Sequence, residues 1–384
     1  MNLLYQYCFW IGLSALAFAY CFYPITSKLL ARYAPRSVQC NADHTPSASV
    51  ILVVYNEETR LTTRLENLFA SDYPPDKLDV IVVDDGSSDG TKSMMASLAS
   101  PRIRYIRFED RAGKSARLNA AITTASADIC ILCDARQTFA SDAIRRLARA
   151  FFDPSVGAVS GELFITASES TVGRGIDVYW SRERRLREAE AARHSTIGCT
   201  GAIYAIRTSL FTPLRSDTIL DDVVIPMRIA ERNYRVLHDA GAHAFDSQPL
   251  EPKFEIRRKR RTLAGNFQML FQYPTWLLPW GHPLWWRIIA HKYLRLLAPL
   301  FLCVVAVTSL LLCGEFIYRY ATLLQLSAYS CGVVGILTKS RAKFLAIPAA
   351  FMFLNGLALL AFWDFLCNRA NARWETASSV APNP

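Results

Sequence analysis

Apolar and polar positions change texture three times along this chain. Residues 1–27 carry no charge, and the first cations are Lys28, Arg32 and Arg36. A secretory signal has its basic stretch before the apolar core, so residues 1–30 are predicted as an uncleaved anchor with its basic end in the cytoplasm. Residues 31–47 are polar and contain proline, which predicts a linker. From Ser49 short apolar runs alternate with amphipathic stretches. Val50–Val54, Val80–Val83, Ile103–Phe108 and Ala127–Cys133 read as strands, with helices between them. The first helix places Leu61, Leu65, Leu68 and Phe69 on one face. Such alternation predicts an α/β domain with a largely parallel sheet covered on both faces.

Past residue 155 the pattern loosens. Ala158–Ile165 reads as a strand, and 174–193 as a helix whose mixed charges predict a solvated face. Residues 200–207 form a turn and strand, and a helix opens at Asp221. The α/β domain is thereby bounded at 48–266. Residues 267–291 hold Pro274, Pro279 and Pro283 among Trp276, Trp280, Trp285 and Trp286, which suits the membrane interface and forbids one spanning helix. Within 292–368, three uncharged segments at 296–314, 320–338 and 344–363 are each near the ~20 residues that cross a bilayer. Lys339, Arg341 and Lys343 mark a cytoplasmic loop, and 369–384 is a polar tail. Four spans with both termini outside are expected.

Composition sharpens this. Of 384 residues 52% are hydrophobic, too many for an ordinary soluble enzyme, and the net charge is +10. The positive charge fits both basic flanks of membrane helices and a site for a polyanionic ligand. No aromatic-rich nucleic-acid module is visible, so nucleic acid is set aside as a partner. Ten cysteines are scattered, and Cys130 and Cys133 point to opposite faces of one strand, which fits a reducing compartment better than a zinc or redox site.

The candidate chemistry gathers where strands end. Val80–Val83 runs into Asp84-Asp85-Gly86-Ser87, and ligands of open α/β sheets sit at such carboxyl ends. Asp84 and Asp85 are therefore expected to face a crevice. A calcium loop fits the spacing of Asp85, Ser87 and Asp89 but needs an acid where Ala96 stands. No G-x-G-x-x-G follows a strand. Asp134 ends the fourth strand, and its i+2 neighbour Arg136 is expected on the same face. Of Asp221 and Asp222, one is open to a helix-capping role.

In this order the pieces resemble the inverting family 2 glycosyltransferases, in the membrane-bound branch that includes cellulose, chitin and hyaluronan synthases. The resemblance covers about 48–266 and implies a GT-A, Rossmann-like fold. Val54-Tyr55-Asn56-Glu57 resembles the motif opening the nucleotide pocket, and Asp84-Asp85-Gly86-Ser87 the one at the uracil–ribose end. Gly113-Lys114 and Asn119-Ala120 match the stretch along the nucleotide. Asp134 matches the first, metal-binding Asp of D-x-D, Thr200-Gly201-Ala202 the acceptor-side motif, and Asp222 the catalytic base. Arg258-Lys259-x-Arg261-Thr262 stands where the family has Q-x-x-R-W, with Arg258 and Arg261 implied as diphosphate contacts and Lys259 and Arg260 facing lipid. Two departures stand out: Arg136 replaces the second acid of D-x-D, and the last motif lacks its Gln and Trp.

What the resemblance implies is transfer of a sugar from a UDP-sugar, with Mg²⁺ or Mn²⁺ at Asp134 and Arg136 assisting. The acceptor is a growing polysaccharide or a lipid, reached from the cytoplasmic face of the inner membrane, beside other export subunits. The alternative is a catalytically weak nucleotide-sugar-binding subunit of a polysaccharide export complex, suggested by Arg136.

Overall fold

The computed structural model describes residues 1–98, 100–165, 171–246, 252–338, 340 and 342–369. Lys339, Arg341 and the tail beyond Arg369 lie outside the described residues. The chain divides into two compact units, one comprising 35–166 and 190–249, the other 1–34, 167–189 and 250–369.

The first unit is built on an eight-stranded sheet. Its strands are β1 (Ala48–Val54), β2 (Leu78–Asp85), β3 (Ile103–Phe108), β4 (Ile129–Cys133), β5 (Thr138–Phe139), β6 (Val156–Ile165), β7 (Ile203–Arg207) and β8 (Arg235–Asp246). They lie in the order β3-β2-β1-β4-β7-β6-β8-β5. β3, β2, β1 and β4 pair in parallel, with Val54 opposite Asp84. β7 runs antiparallel to both β4 and β6, while β6 and β8 are parallel. The sheet is thus mixed but mostly parallel. Every residue of β1 and β4 is buried, as an apolar run covered on both faces demands. The carboxyl ends of β1, β2, β4, β6 and β8 share one edge, since two reversals restore the direction of β4 in β6. The stretch predicted as a linker is held down: buried Arg235 donates to the carbonyls of Ser37 (2.9 Å) and Arg36 (3.1 Å), and the Tyr73 hydroxyl to that of Pro46 (2.5 Å).

The second unit is helical. Among the described residues, three helices are long and apolar enough to cross a membrane: Asn2–Tyr33, Phe316–Thr338 and Lys343–Leu366. A fourth crossing is available only if Trp285–Leu296 and Ala298–Leu311 act as one, and they meet at 61°. The segment 296–314, expected as a span, is helical over Ala298–Leu311, with the bend at Leu297 next to its start. Pro299 in the first turn of Ala298–Leu311 cannot donate back across the break at Leu297. Phe9 packs edge-on to Tyr318 at 4.9 Å. Arg260 grips Asp364 with two bonds of 2.7 and 2.9 Å and Lys259 pairs with Glu255 at 2.7 Å, so their expected lipid-facing role gives way to ion pairing.

The helix Thr171–Arg193 also departs from expectation. Its charges are not all solvated: Glu183 bonds His291 at 2.5 Å and Arg295 at 2.9 Å, and Leu186 is buried. An even mixture of signs along a helix reads the same whether the countercharges are water or another helix.

Candidate active site

The strand ends of the sheet unit carry most of the residues singled out above. Asp84 and Asp85 do not face open space, because both are fully buried. Asp84 accepts from the Ser87 N–H (2.8 Å), the Tyr105 hydroxyl (2.6 Å) and Arg107 (3.4 Å). Asp85 accepts from the N–H groups of Ala112 (2.8 Å) and Gly113 (2.9 Å) and from Arg117 Nε (2.7 Å). The expectation of a crevice-facing pair is corrected accordingly. A buried carboxylate takes all the donors within reach, and backbone donors were near at hand. Together they pin β2 to β3 and set the start of the helix Lys114–Thr124.

At the end of β1, Asn56 takes a positive φ of 54°, a conformation asparagine tolerates. Its N–H donates to Ser87 Oγ (2.9 Å), and its side-chain oxygen accepts from Ser88 N–H (2.8 Å). The Arg111 guanidinium lies 3.8 Å over the Tyr55 ring. Glu57 is buried beside Arg60, and burial pushes its carboxyl above the usual range, with Asp134 adding to the rise and Arg60 and Arg136 opposing it.

Lys114 is where the acids meet. Its ammonium lies 2.9 Å from Asp134 Oδ1 and 3.4 Å from Asp221 Oδ2, with Asp222 also acting on it. Burial alone would lower its pKa, but these carboxylates outweigh burial and hold it above the ordinary lysine value. The Tyr204 hydroxyl, fully buried, feels Asp221, Asp222 and Asp134 together; burial first and then their charge push it well above the usual phenol range. Asp222 is held by backbone: its carbonyl accepts from Cys199 N–H at 2.8 Å, and a Cβ on Gly201 would stand 2.9 Å from its Oδ2. Thr200 N–H donates to Ser160 Oγ at 2.9 Å, and Ala202 is buried beneath. The capping role left open for Asp221 or Asp222 is filled otherwise. Leu220 is the N-cap without a side-chain bond, and both acids lie in the first turn, where the helix dipole favours them.

Asp134, Lys114, Asp221, Asp222 and Gly201 thus converge, and Glu57 feels both Asp134 and Arg136. One expectation changes. β4 stops at Cys133, so the two-residue alternation does not extend to Arg136, whose guanidinium bonds the buried carboxylate of Asp246. The Asn119 amide exchanges two 2.8 Å bonds with the backbone of Leu214. Arg258 and Arg261 stand on the helix Pro252–Gln272 of the helical unit. Sequence reasoning missed Asp221 as a member and Asp246 altogether. The doublet with Asp222 signalled the first; nothing local signals the second, 110 residues from its partner.

The mixed, mostly parallel sheet with acids and an ammonium at its carboxyl edge is that of a GT-A type fold. A family model described as glycosyl transferase family 2 matches residues 49–214. An N-acetylglucosaminyltransferase of Rhizobium sp. (strain N33) is 34% identical over 176 residues, 44% of this chain and 38% of that protein. The poly-beta-1,6-N-acetyl-D-glucosamine synthase of Staphylococcus aureus (strain COL) is 24% identical over 205 residues, 52% of this chain and 49% of that one. The chain thus spans less than half the length of these curated relatives. Among solved structures, the mannosyltransferase PcManGT from Pyrobaculum calidifontis, in complex with GDP-Man and Mn²⁺, superposes with a TM-score of 0.70. It is 22% identical, and the match covers 94% of this chain and 99% of that one, a likeness of fold.

Proposed function

We propose that this protein is an inverting glycosyltransferase that moves a sugar from a nucleotide diphosphate, UDP in the first instance, to a growing polysaccharide or lipid-linked acceptor at the cytoplasmic face of a membrane. The observation that carries the reading is the convergence of Asp134, Asp221 and Asp222 on Lys114 at the carboxyl edge of the sheet. The N-acetylglucosaminyl relatives make UDP-N-acetylglucosamine the first donor to try.

Single in-line displacement needs one base for the acceptor hydroxyl and positive charge at the departing diphosphate. Asp222 serves as the base, held by the Cys199 N–H and the bare face of Gly201. Lys114 supplies a charge-assisted donor to the diphosphate. Asp84 and Asp85 act indirectly, by fixing the loops on which Ser87 and Gly113 stand.

Among the described residues no group of three or more His, Cys, Asp or Glu side chains is set to hold a metal ion. The half-exposed carboxylate of Asp134 nevertheless suits Mg²⁺ or Mn²⁺, which commonly take one or two protein carboxylates with phosphate and water completing the shell. Bound there, such an ion would neutralise the leaving diphosphate. Arg136 does not oppose it, because Asp246 offsets its charge.

Incubating the detergent-solubilised chain with a panel of nucleotide sugars tests the reading. Release of the free nucleotide with an acceptor-linked sugar in the mass spectrum is expected, and Asp222→Asn should fall by ~10²–10⁴-fold. Binding of a nucleotide sugar with no turnover on any acceptor would favour the non-catalytic export subunit instead.

A further inference from the structure

A lysine is an unusual neighbour for a carboxylate expected to receive a metal ion. Lys114 Nζ bonds Asp134 Oδ1 at 2.9 Å, reaches Asp221 Oδ2 at 3.4 Å, and its side chain is only 20% exposed. It therefore stands among the acids rather than in solvent. Arg136 adds little charge here, because it is bonded to Asp246, whose side chain is 1% exposed.

We infer that Lys114 is a place-holder for the divalent cation: its ammonium occupies the carboxylates in the free protein and yields them only when nucleotide and cation arrive together. This rests on the transferase reading above. A tethered ammonium competes at high effective concentration, so a dissolved cation alone displaces it poorly. An arriving diphosphate changes the balance in two ways. It offers the ammonium a better anion, in a charge-assisted bond. It also brings further negative charge toward Asp134, Asp221 and Asp222, which a divalent ion offsets better than one lysine does. Lys114 then moves from Asp134 to phosphate, and Asp134 becomes available to the ion. The physical sense is protective: without a donor, the acids neither stand unpaired nor collect metal.

The test is Mn²⁺ binding by the full chain in detergent, read from the electron paramagnetic resonance signal of free Mn²⁺. The wild type is expected to bind Mn²⁺ weakly alone and roughly tenfold or more tightly with UDP or GDP present. Lys114→Met should bind Mn²⁺ that tightly without nucleotide, and adding Asp134→Asn should abolish the gain. Lys114→Arg, which keeps the cation, should keep nucleotide-free Mn²⁺ binding weak, and a melting curve of Lys114→Met like that of the wild type shows that the fold survives change at this position. Equal nucleotide-free affinity in wild type and Lys114→Met overturns the inference, as does a gain that persists with Asp134→Asn. Sugar transfer indifferent to Mn²⁺ and to EDTA overturns it too while leaving the transferase reading standing. The expected Mn²⁺ pattern in a chain that transfers no sugar supports the place-holder and removes only the transferase.

Discussion

Arg117 shows how much one side chain carries at the end of β2. Its Nε bonds the buried Asp85 at 2.7 Å, and its guanidinium lies 3.8 Å over the Phe108 ring. Removing one partner of such a pair leaves a charge stranded, at a cost of ~3–5 kcal/mol. Arg117→Met should therefore lower the unfolding midpoint sharply, whereas a surface exchange such as Arg145→Met should not; equal effects in chemical denaturation would contradict this. Gly201 carries a different constraint. A methyl there would meet Asp222 Oδ2 at 2.9 Å, so with Asp222 as the proposed base Gly201→Ala should cut turnover by about tenfold or more by displacing its carboxylate. Thermal melting should barely change, which separates this from misfolding. At this scale the sequence spoke through ordered motifs: Asp134 and Asp222 were legible because each follows or opens an element of recognisable texture. Lys114 as the hub, and Asp246 as the counter-ion of Arg136, were not, because contacts across ~20 and 110 residues leave no local periodicity.

Among elements, the loop after β2 is the most constrained. Gly86 has φ +77°, and a Cβ there would lie 3.2 Å from the Asp110 carbonyl. Gly86→Ala should destabilise by ~1–3 kcal/mol, with the strain set by backbone and not by any lost contact. A melting temperature equal to wild type would contradict that assignment. The strands themselves were readable, since β1, β2 and β4 are apolar runs with turn residues at their ends, and β3 begins and ends as expected. The bend at Leu297 was not readable. The residues on either side are equally apolar, and hydropathy records composition, not the direction of an axis. The helix Thr171–Arg193 failed for a related reason, its charges fitting water and ion pairs alike.

For the molecule as a whole, the helical unit carries its own dependence on pH. Burial alone would raise the Glu183 carboxyl, but His291 and Arg295 outweigh it and hold the group well below the usual range. Because the folded value lies below the unfolded one, the contribution to stability is complete above the ordinary glutamate value of 4.5 and is lost as pH falls toward the folded value. Melting of the solubilised chain should therefore decline as acid is added below that point. Glu183→Gln should melt lower at neutral pH and show a flatter decline; an unchanged slope would assign the effect to other carboxylates. The division into a sheet unit and a helical unit follows from the shift between alternating and continuous apolar texture that the chain displays.

The bond between Arg136 and Asp246 ties two distant positions into one unit. Changing Arg136 to aspartate alone would leave Asp246 facing another acid in a buried pocket, and losing Asp246 alone would leave a guanidinium without its counter-ion. Each substitution is harmful unless the other has already happened. A charge swap made in the laboratory is expected to succeed only when both positions are exchanged at once.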